Sequence, residues 1–175
     1  MARLKEYNGH YCESEYEYAF IGFLEAEGWK YSSGNNIHRV TKRDILIVDD
    51  FKKFIADTNP DLTEEEVTQI YDNVRLVGAE SDFATLHKVY GWMVNGVQFT
   101  PQDGLPRMIP LIEFDNWDKN IFRVVNQFTV EYTNNGQKEN RRPDVLLFVN
   151  CIPLGVIELK NPTDANATIY DAWEQ

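Results

Sequence analysis

Three charged residues, Asp144, Glu158 and Lys160, fall inside RRPDVLLFVNCIPLGVIELKNP, residues 141–162, a stretch that otherwise reads as a buried hairpin. A charge inside an apolar sheet costs several kcal/mol unless it meets a partner or a metal. Side chains alternate faces along a strand, so Glu158 and Lys160 share a face, roughly 7 Å apart at about 3.3 Å per residue. Residues 150–153, NCIP, are the expected turn, which makes 144–149 and 154–160 an antiparallel pair. Closing the hairpin about residue 151 sets Asp144 opposite Glu158, and closing it about 152 sets Asp144 opposite Lys160. Directly opposed residues share a face, so the three groups converge in either register. Val145, Leu147, Val149, Ile157 and Leu159 then point to the other face, where they can pack on a helix.

Two carboxylates and an ammonium at one end of a sheet suit phosphodiester hydrolysis. Hard oxygen donors from Asp and Glu bind Mg²⁺, which lowers the pKa of a bound water and neutralises charge building on the phosphate. A lysine beside them can position the attacking hydroxide or stabilise the pentacovalent state. Spacing alone leaves another reading open: a sheet-edge salt bridge between Glu158 and Lys160, with Asp144 capping a strand after Pro143. The pattern P-D-x(n)-E-x-K recurs by chance.

The elements that must hold these groups follow from periodicity. Tyr16, Ala19, Phe20, Phe23 and Leu24 recur at helical spacing and predict a first helix over 13–27, ended by Gly28. YSSGNN, 31–36, reads as a loop. Ile47, Phe51, Phe54 and Ile55 predict a second helix over 43–57, stopped at Asn59-Pro60. Thr63 with Glu66 is a capping box opening a third helix over 63–76, and a fourth is expected over 81–94, closed by Asn95-Gly96. From there VQF, MIPLIEF, IFRVVNQFTVEY, DVLLFV and LGVIEL are short β-branched or aromatic runs between Pro, Gly and Asn, the signature of a sheet. The last residues, ATIYDAWEQ, read as a helix with no C-cap, so more protein is expected to follow. The fold class expected is α/β or α+β.

The 175 residues are expected to form one domain with a core, burying about two-thirds of the unfolded surface. No apolar run approaches roughly 18 residues, and the N-terminus lacks a secretory pattern, leaving the cytoplasm as the default location without a membrane role. Cys12 and Cys151 stand far apart, which suits buried thiols rather than a disulfide framework or zinc site; His10, His38 and His87 are similarly scattered. The net charge of −11 is opposite to the usual footprint of a protein that binds DNA alone.

The longer context of the hairpin resembles the nuclease core of the R subunit of type I restriction enzymes. There R-x-P-D, an apolar run, P-L and I-E-L-K-N-P carry a PD-(D/E)xK active site. FDNWDKNIFRVVNQFTVE, 114–131, looks like the family's strand; Glu13, Glu17, Ile21, Leu24, Gly28 and Trp29 approximate its N-terminal helix; and NPDLTEE, 59–65, is similar to another of its patterns. The resemblance implies a restriction-endonuclease-like core, a mixed sheet flanked by helices, within a larger DNA translocase. It implies Mg²⁺ on Asp144, Glu158 and the carbonyl of Leu159, and Lys160 as the catalytic lysine. Glu17 could be a further acidic ligand or an ordinary solvated glutamate. Gln175 stands where a Q-x-x-x-Y helix thought to contact DNA would open. Arg141, Arg142 and Lys138 could touch phosphates or simply solubilise a turn. ATP is implied for motor domains elsewhere, since this chain has no Walker A pattern. DNA, the methyltransferase and specificity subunits and the protein's own helicase domains are the implied partners. A standalone PD-(D/E)xK nuclease and a non-catalytic docking domain are the competing readings.

Overall fold

The computed structural model describes residues 13–77, 82–102, 104–134 and 136–159. Contacts divide the chain into two compact units: Met1–Ile37 with Phe122–Phe148 and Pro153–Gln175, and His38–Ile121 with Val149–Ile152. Helices and a mixed sheet make it an α+β protein, consistent with the restriction-endonuclease-like core expected.

In the first unit, helix α1 (Glu13–Ala26) precedes strand β1 (Lys30–Ser33). The helix lies where periodicity puts it, but its buried stripe is rotated. Ile21 and Leu24 are buried with Glu17 beside them, whereas Tyr16 and Phe23 are exposed, Phe23 by 61%. Ile21 and Leu24 pack on Val124 and Val145, with Phe20, Tyr31, Leu147 and Ile157 at the margin. Val145, Leu147 and Ile157 thus meet a helix as the hairpin's alternation requires. The YSSGNN loop is corrected: its first residues belong to β1, and only Gly34–Asn36 form a 3₁₀ turn.

The second unit opens on two packed helices, α2 (Val48–Thr58) and α3 (Glu64–Arg75). Helix α2 begins five residues later than expected. Asp44 Oδ2 accepts from the Thr41 amide at 2.8 Å and the Thr41 hydroxyl at 3.2 Å, closing a turn that the helical pattern had covered. Its apolar stripe is as read, with Phe51, Phe54 and Ile55 buried and Phe51 meeting Tyr71 edge-on. Helix α3 starts from the capping box Thr63–Glu66. Helix α4 (Asp82–Asn95) ends at Gly96, whose φ of +83° is the left-handed conformation glycine tolerates. Strands β2 (Val97–Phe99) and β3 (Arg107–Ile109) then pair antiparallel, so MIPLIEF supplies far less strand than expected. Among the described residues no helix is long and apolar enough to cross a membrane.

The rest of the first unit's sheet comes from the C-terminal half. IFRVVNQFTVEY divides into β4 (Phe122–Asn126) and β5 (Val130–Asn134), because Gln127 takes a φ of +56° and turns the chain out of the sheet. Strand β6 (Gln137–Arg141), which carries Lys138 and Arg141, was not expected from sequence and pairs antiparallel with β5. Strands β7 (Val145–Val149) and β8 (Ile152–Ile157) complete the four-stranded order β1-β4-β7-β8. The expected final helix lies outside the described residues.

Strand directions decide which residues gather. β1 and β4 run parallel, Ser33 opposite Asn126. The Asn150 amide donates to the Ile121 carbonyl at 2.9 Å, so the exit of β7 adjoins the entry of β4 and these neighbours are antiparallel. The ends of β1 and β4, the start of β7 and the end of β8 therefore share one end of the sheet. A single glycine permits the close approach there: a Cβ on Gly34 would stand 2.6 Å from the Phe128 Cα.

Candidate active site

Asp144 and residues 158–159 flank β7 and β8 at that shared end. The hairpin between them is tighter than NCIP suggests. Asn150 and Cys151 take φ of +51° and +94° at its turn, and β8 already begins at Ile152. Asn150 secures it: its Oδ1 accepts from the Ile121 amide at 2.7 Å, and its Nδ2 donates to Asn120 Oδ1 at 2.7 Å and to the Leu111 carbonyl at 3.0 Å. At the open end the half-buried Asp144 carboxylate accepts from the Leu159 amide, 2.7 Å from Oδ2. Asp144 thus reaches the backbone between the two residues, 158 and 160, that the alternative registers would set opposite it. Glu158, also half-buried, is the neighbour of that amide. Lys160 and Gln175 lie outside the described residues.

Glu17 comes to the same end of the sheet from α1. It is buried, 7% exposed, and its Oε1 accepts from Asn126 Nδ2 at 2.6 Å. Asn126, at the end of β4, is 2% exposed and in turn accepts from the Tyr31 hydroxyl at 3.0 Å. The hydrogen bonds run in one direction, phenol to amide to carboxylate. Burial, with the nearby Tyr18, raises the Tyr31 pKa, the bond to Asn126 opposes the shift, and Glu17 and Glu25 add to it. Glu17 is therefore held by an amide in the interior rather than solvated. Among the described residues no three Asp, Glu, His or Cys side chains are gathered closely enough to hold a metal by themselves.

The hairpin of β5 and β6 adds a cation. Arg141 Nε donates to the Tyr132 hydroxyl at 3.2 Å, and that hydroxyl donates to Glu139 Oε2 at 2.7 Å. The bond to Tyr132 is the main cause of a raised Arg141 pKa, and Glu158 contributes from within electrostatic reach. Glu139 is held below the usual carboxylate range by Tyr132 and by Asn134, whose amide donates at 3.0 Å. Arg141, Arg142 and Lys138 are all exposed. Composition gave no sign of Asn126, Asn150 or Tyr132; the one available hint was an asparagine standing at the end of each apolar run, VVN and LFVN.

This arrangement can be set beside known proteins. The chain is 36% identical over 167 residues to the "Putative type I restriction enzyme MjaIXP endonuclease subunit" of Methanocaldococcus jannaschii, covering 90% of this chain and 16% of the relative. It is 29% identical over 177 residues to the type I restriction enzyme HindI endonuclease subunit of Haemophilus influenzae, covering 93% of this chain and again 16% of the relative. The chain thus spans about one-sixth of the length of either protein. The model of the family described as type I restriction enzyme R protein N terminus matches residues 11–175. This chain belongs to that family, the N-terminal region of type I restriction enzyme R proteins.

Proposed function

We propose that the chain is the Mg²⁺-dependent endonuclease domain of a type I restriction enzyme R subunit, and that its 175 residues act as one catalytic domain. The observation that carries this reading is the 2.7 Å bond from the Leu159 amide to Asp144, which brings the two carboxylate-bearing segments of the hairpin together. One Asp144 oxygen is engaged by that amide; in this reading the other oxygen, Glu158 and the Leu159 carbonyl would hold the metal. These are hard oxygen donors of the kind Mg²⁺ takes, the remainder of its shell being water. When bound, the metal supplies an acidified water and offsets charge on the scissile phosphate.

The chain's own groups do the rest. Asp144 and Glu158 fix the reacting end of the sheet, and the Lys160 ammonium orients the nucleophile and balances the two carboxylates. Arg141, held by the Tyr132 hydroxyl, and Arg142 offer phosphate contacts. Glu17, held by Asn126, is the further acid at this end. The substrate is DNA, delivered by ATP-driven motor domains of the same subunit, with methyltransferase and specificity subunits choosing the site in the cytoplasm. A net charge of −11 makes sense in that setting: a module that binds DNA weakly by itself cuts only what is brought to it.

The test is DNA cleavage by the complete enzyme assembled with its partner subunits and ATP. Glu158→Gln and Lys160→Ala should each lower cleavage about 100-fold or more, with ATP hydrolysis and translocation retained. Undiminished cutting by both variants overturns the assignment.

A further inference from the structure

The second unit contains a cleft whose charge runs against that of the chain. It has a volume of about 260 Å³ and lies between the segment 38–48 and the faces of α2 and α3 that carry Lys52, Thr68, Tyr71 and Arg75. Acidic side chains outnumber basic ones by 28 to 17 in the whole sequence. Here Arg39, Lys52 and Arg75 stand against Asp44 and Asp72, and His38 joins them.

Both carboxylates are already engaged by Arg75. Its Nη1 meets Asp44 Oδ1 at 3.2 Å and its Nε lies 4.0 Å from Asp72. The other Asp44 oxygen accepts from the Thr41 amide and hydroxyl. Burial works against ionisation of Asp44, but the Thr41 bonds and Arg75 outweigh it and hold the carboxyl below its usual range. The lysine is placed differently. Lys52 Nζ donates to a neutral acceptor, the Thr68 hydroxyl, at 2.8 Å, which leaves its positive charge directed at the cleft with two further N–H donors.

We propose that this cleft binds a phosphate group, with the Lys52 ammonium as its principal contact and Arg39, whose Nη1 also donates to the Asp44 carbonyl at 3.4 Å, beside it in the lining. A tetrahedral oxyanion accepts several charge-assisted hydrogen bonds at once, the pattern these donors offer. The volume admits one phosphate and a small attached group. The carrier is either a free phosphate ester or a phosphate protruding from a nucleic-acid backbone; the chemistry recognised is the same.

Calorimetric titration of the full chain in chloride buffer with inorganic phosphate tests the site. Saturable binding is expected, weakened about tenfold or more by Lys52→Gln and preserved by Lys52→Arg, with unchanged circular dichroism in both variants. Titrations with adenosine 5′-monophosphate and with a short DNA duplex identify the carrier, whichever shows the same dependence on Lys52. Absence of saturable phosphate binding, or binding that Lys52→Gln leaves unchanged, overturns the proposal. If Lys52→Gln unfolds the chain, Lys52→Met and blocking of the wild-type Lys52 amine against acetylation by added phosphate decide it; a lysine acetylated equally with and without phosphate counts against the site.

Discussion

Asn126 donates to Oε1 of Glu17 at 2.6 Å, joining buried side chains 109 residues apart in the sequence. A buried carboxylate deprived of its donor keeps its desolvation cost without compensation. Asn126→Ala should therefore destabilise the chain by about 1–3 kcal/mol, read as a lower urea midpoint with an unchanged slope. Asn126→Asp, which sets a second anion against Glu17, should be worse. Wild-type stability in both variants would mean that the bond contributes nothing to folding.

Gly34 has no left-handed φ to explain it; its constraint is space. A Cβ would press into the backbone of Phe128, with the Cα at 2.6 Å and the amide nitrogen at 2.8 Å. Backbone cannot swing aside as a side chain can, so Gly34→Ala should cost about 1–3 kcal/mol. Hydrogen exchange should locate the damage: amides of β1 and β4 near Ser33 and Asn126 should lose protection first.

Which parts of this molecule could be read from sequence depends on how far apart the determining partners lie. The third helix was legible because Thr63 and Glu66 cap it within one turn. The bond from the Leu159 amide to Asp144 joins two ends of one hairpin, which is why sequence could set those segments side by side. Lys30–Ser33 carries no strand signal of its own; it becomes β1 through pairing with β4, more than ninety residues downstream. The α1 stripe was read one step out of phase, since a pattern of apolar residues cannot count Glu17 as interior. Asn126 and Asn150 escaped for the same reason: an asparagine's role is set by its distant partners, while its local reading is simply a turn.

Thr63 and Glu66 make stability depend on pH in a definite direction. Glu66 accepts from the Thr63 amide at 2.8 Å and from the Gln102 amide at 2.8 Å, and these bonds outweigh burial to lower its pKa. With the folded value below the unfolded one, the stabilisation is complete above the ordinary glutamate value of about 4.3 and is lost as pH falls through the depressed value. Glu66→Gln should flatten this part of the profile in urea unfolding between pH 6 and 3. Thr63→Ala should cost about 1 kcal/mol at pH 7.

Cys151 occupies the second turn position with no measurable exposure, and burial pushes its thiol well above the usual range, with Asp50 adding to the effect. A thiolate is the reactive form. Iodoacetamide at pH 8 should leave Cys151 unmodified in the folded chain and alkylate it on unfolding in urea, as measured by mass spectrometry of the peptide that contains it. Rapid labelling under native conditions would show that the turn opens far more often than this packing implies.

Asp144 offers the means to separate structure from chemistry at the hairpin. Its carboxylate accepts from the Leu159 amide at Oδ2, and in the proposed function its negative charge would serve the metal. Asparagine keeps an acceptor oxygen for the amide but removes the charge, whereas alanine removes both. Asp144→Asn should thus retain a near-wild-type melting temperature, while Asp144→Ala should lose about 0.5–1.5 kcal/mol as the amide loses its partner. Calorimetric binding of Mn²⁺, a hard divalent cation suited to the same oxygens, should be lost in both. The discriminating variant is Asp144→Asn: Mn²⁺ bound with unaltered affinity would mean that the Asp144 charge serves no metal and that the hairpin's carboxylates are structural, whereas loss of binding in a chain that melts normally assigns the charge to the metal and the hydrogen bond to the fold.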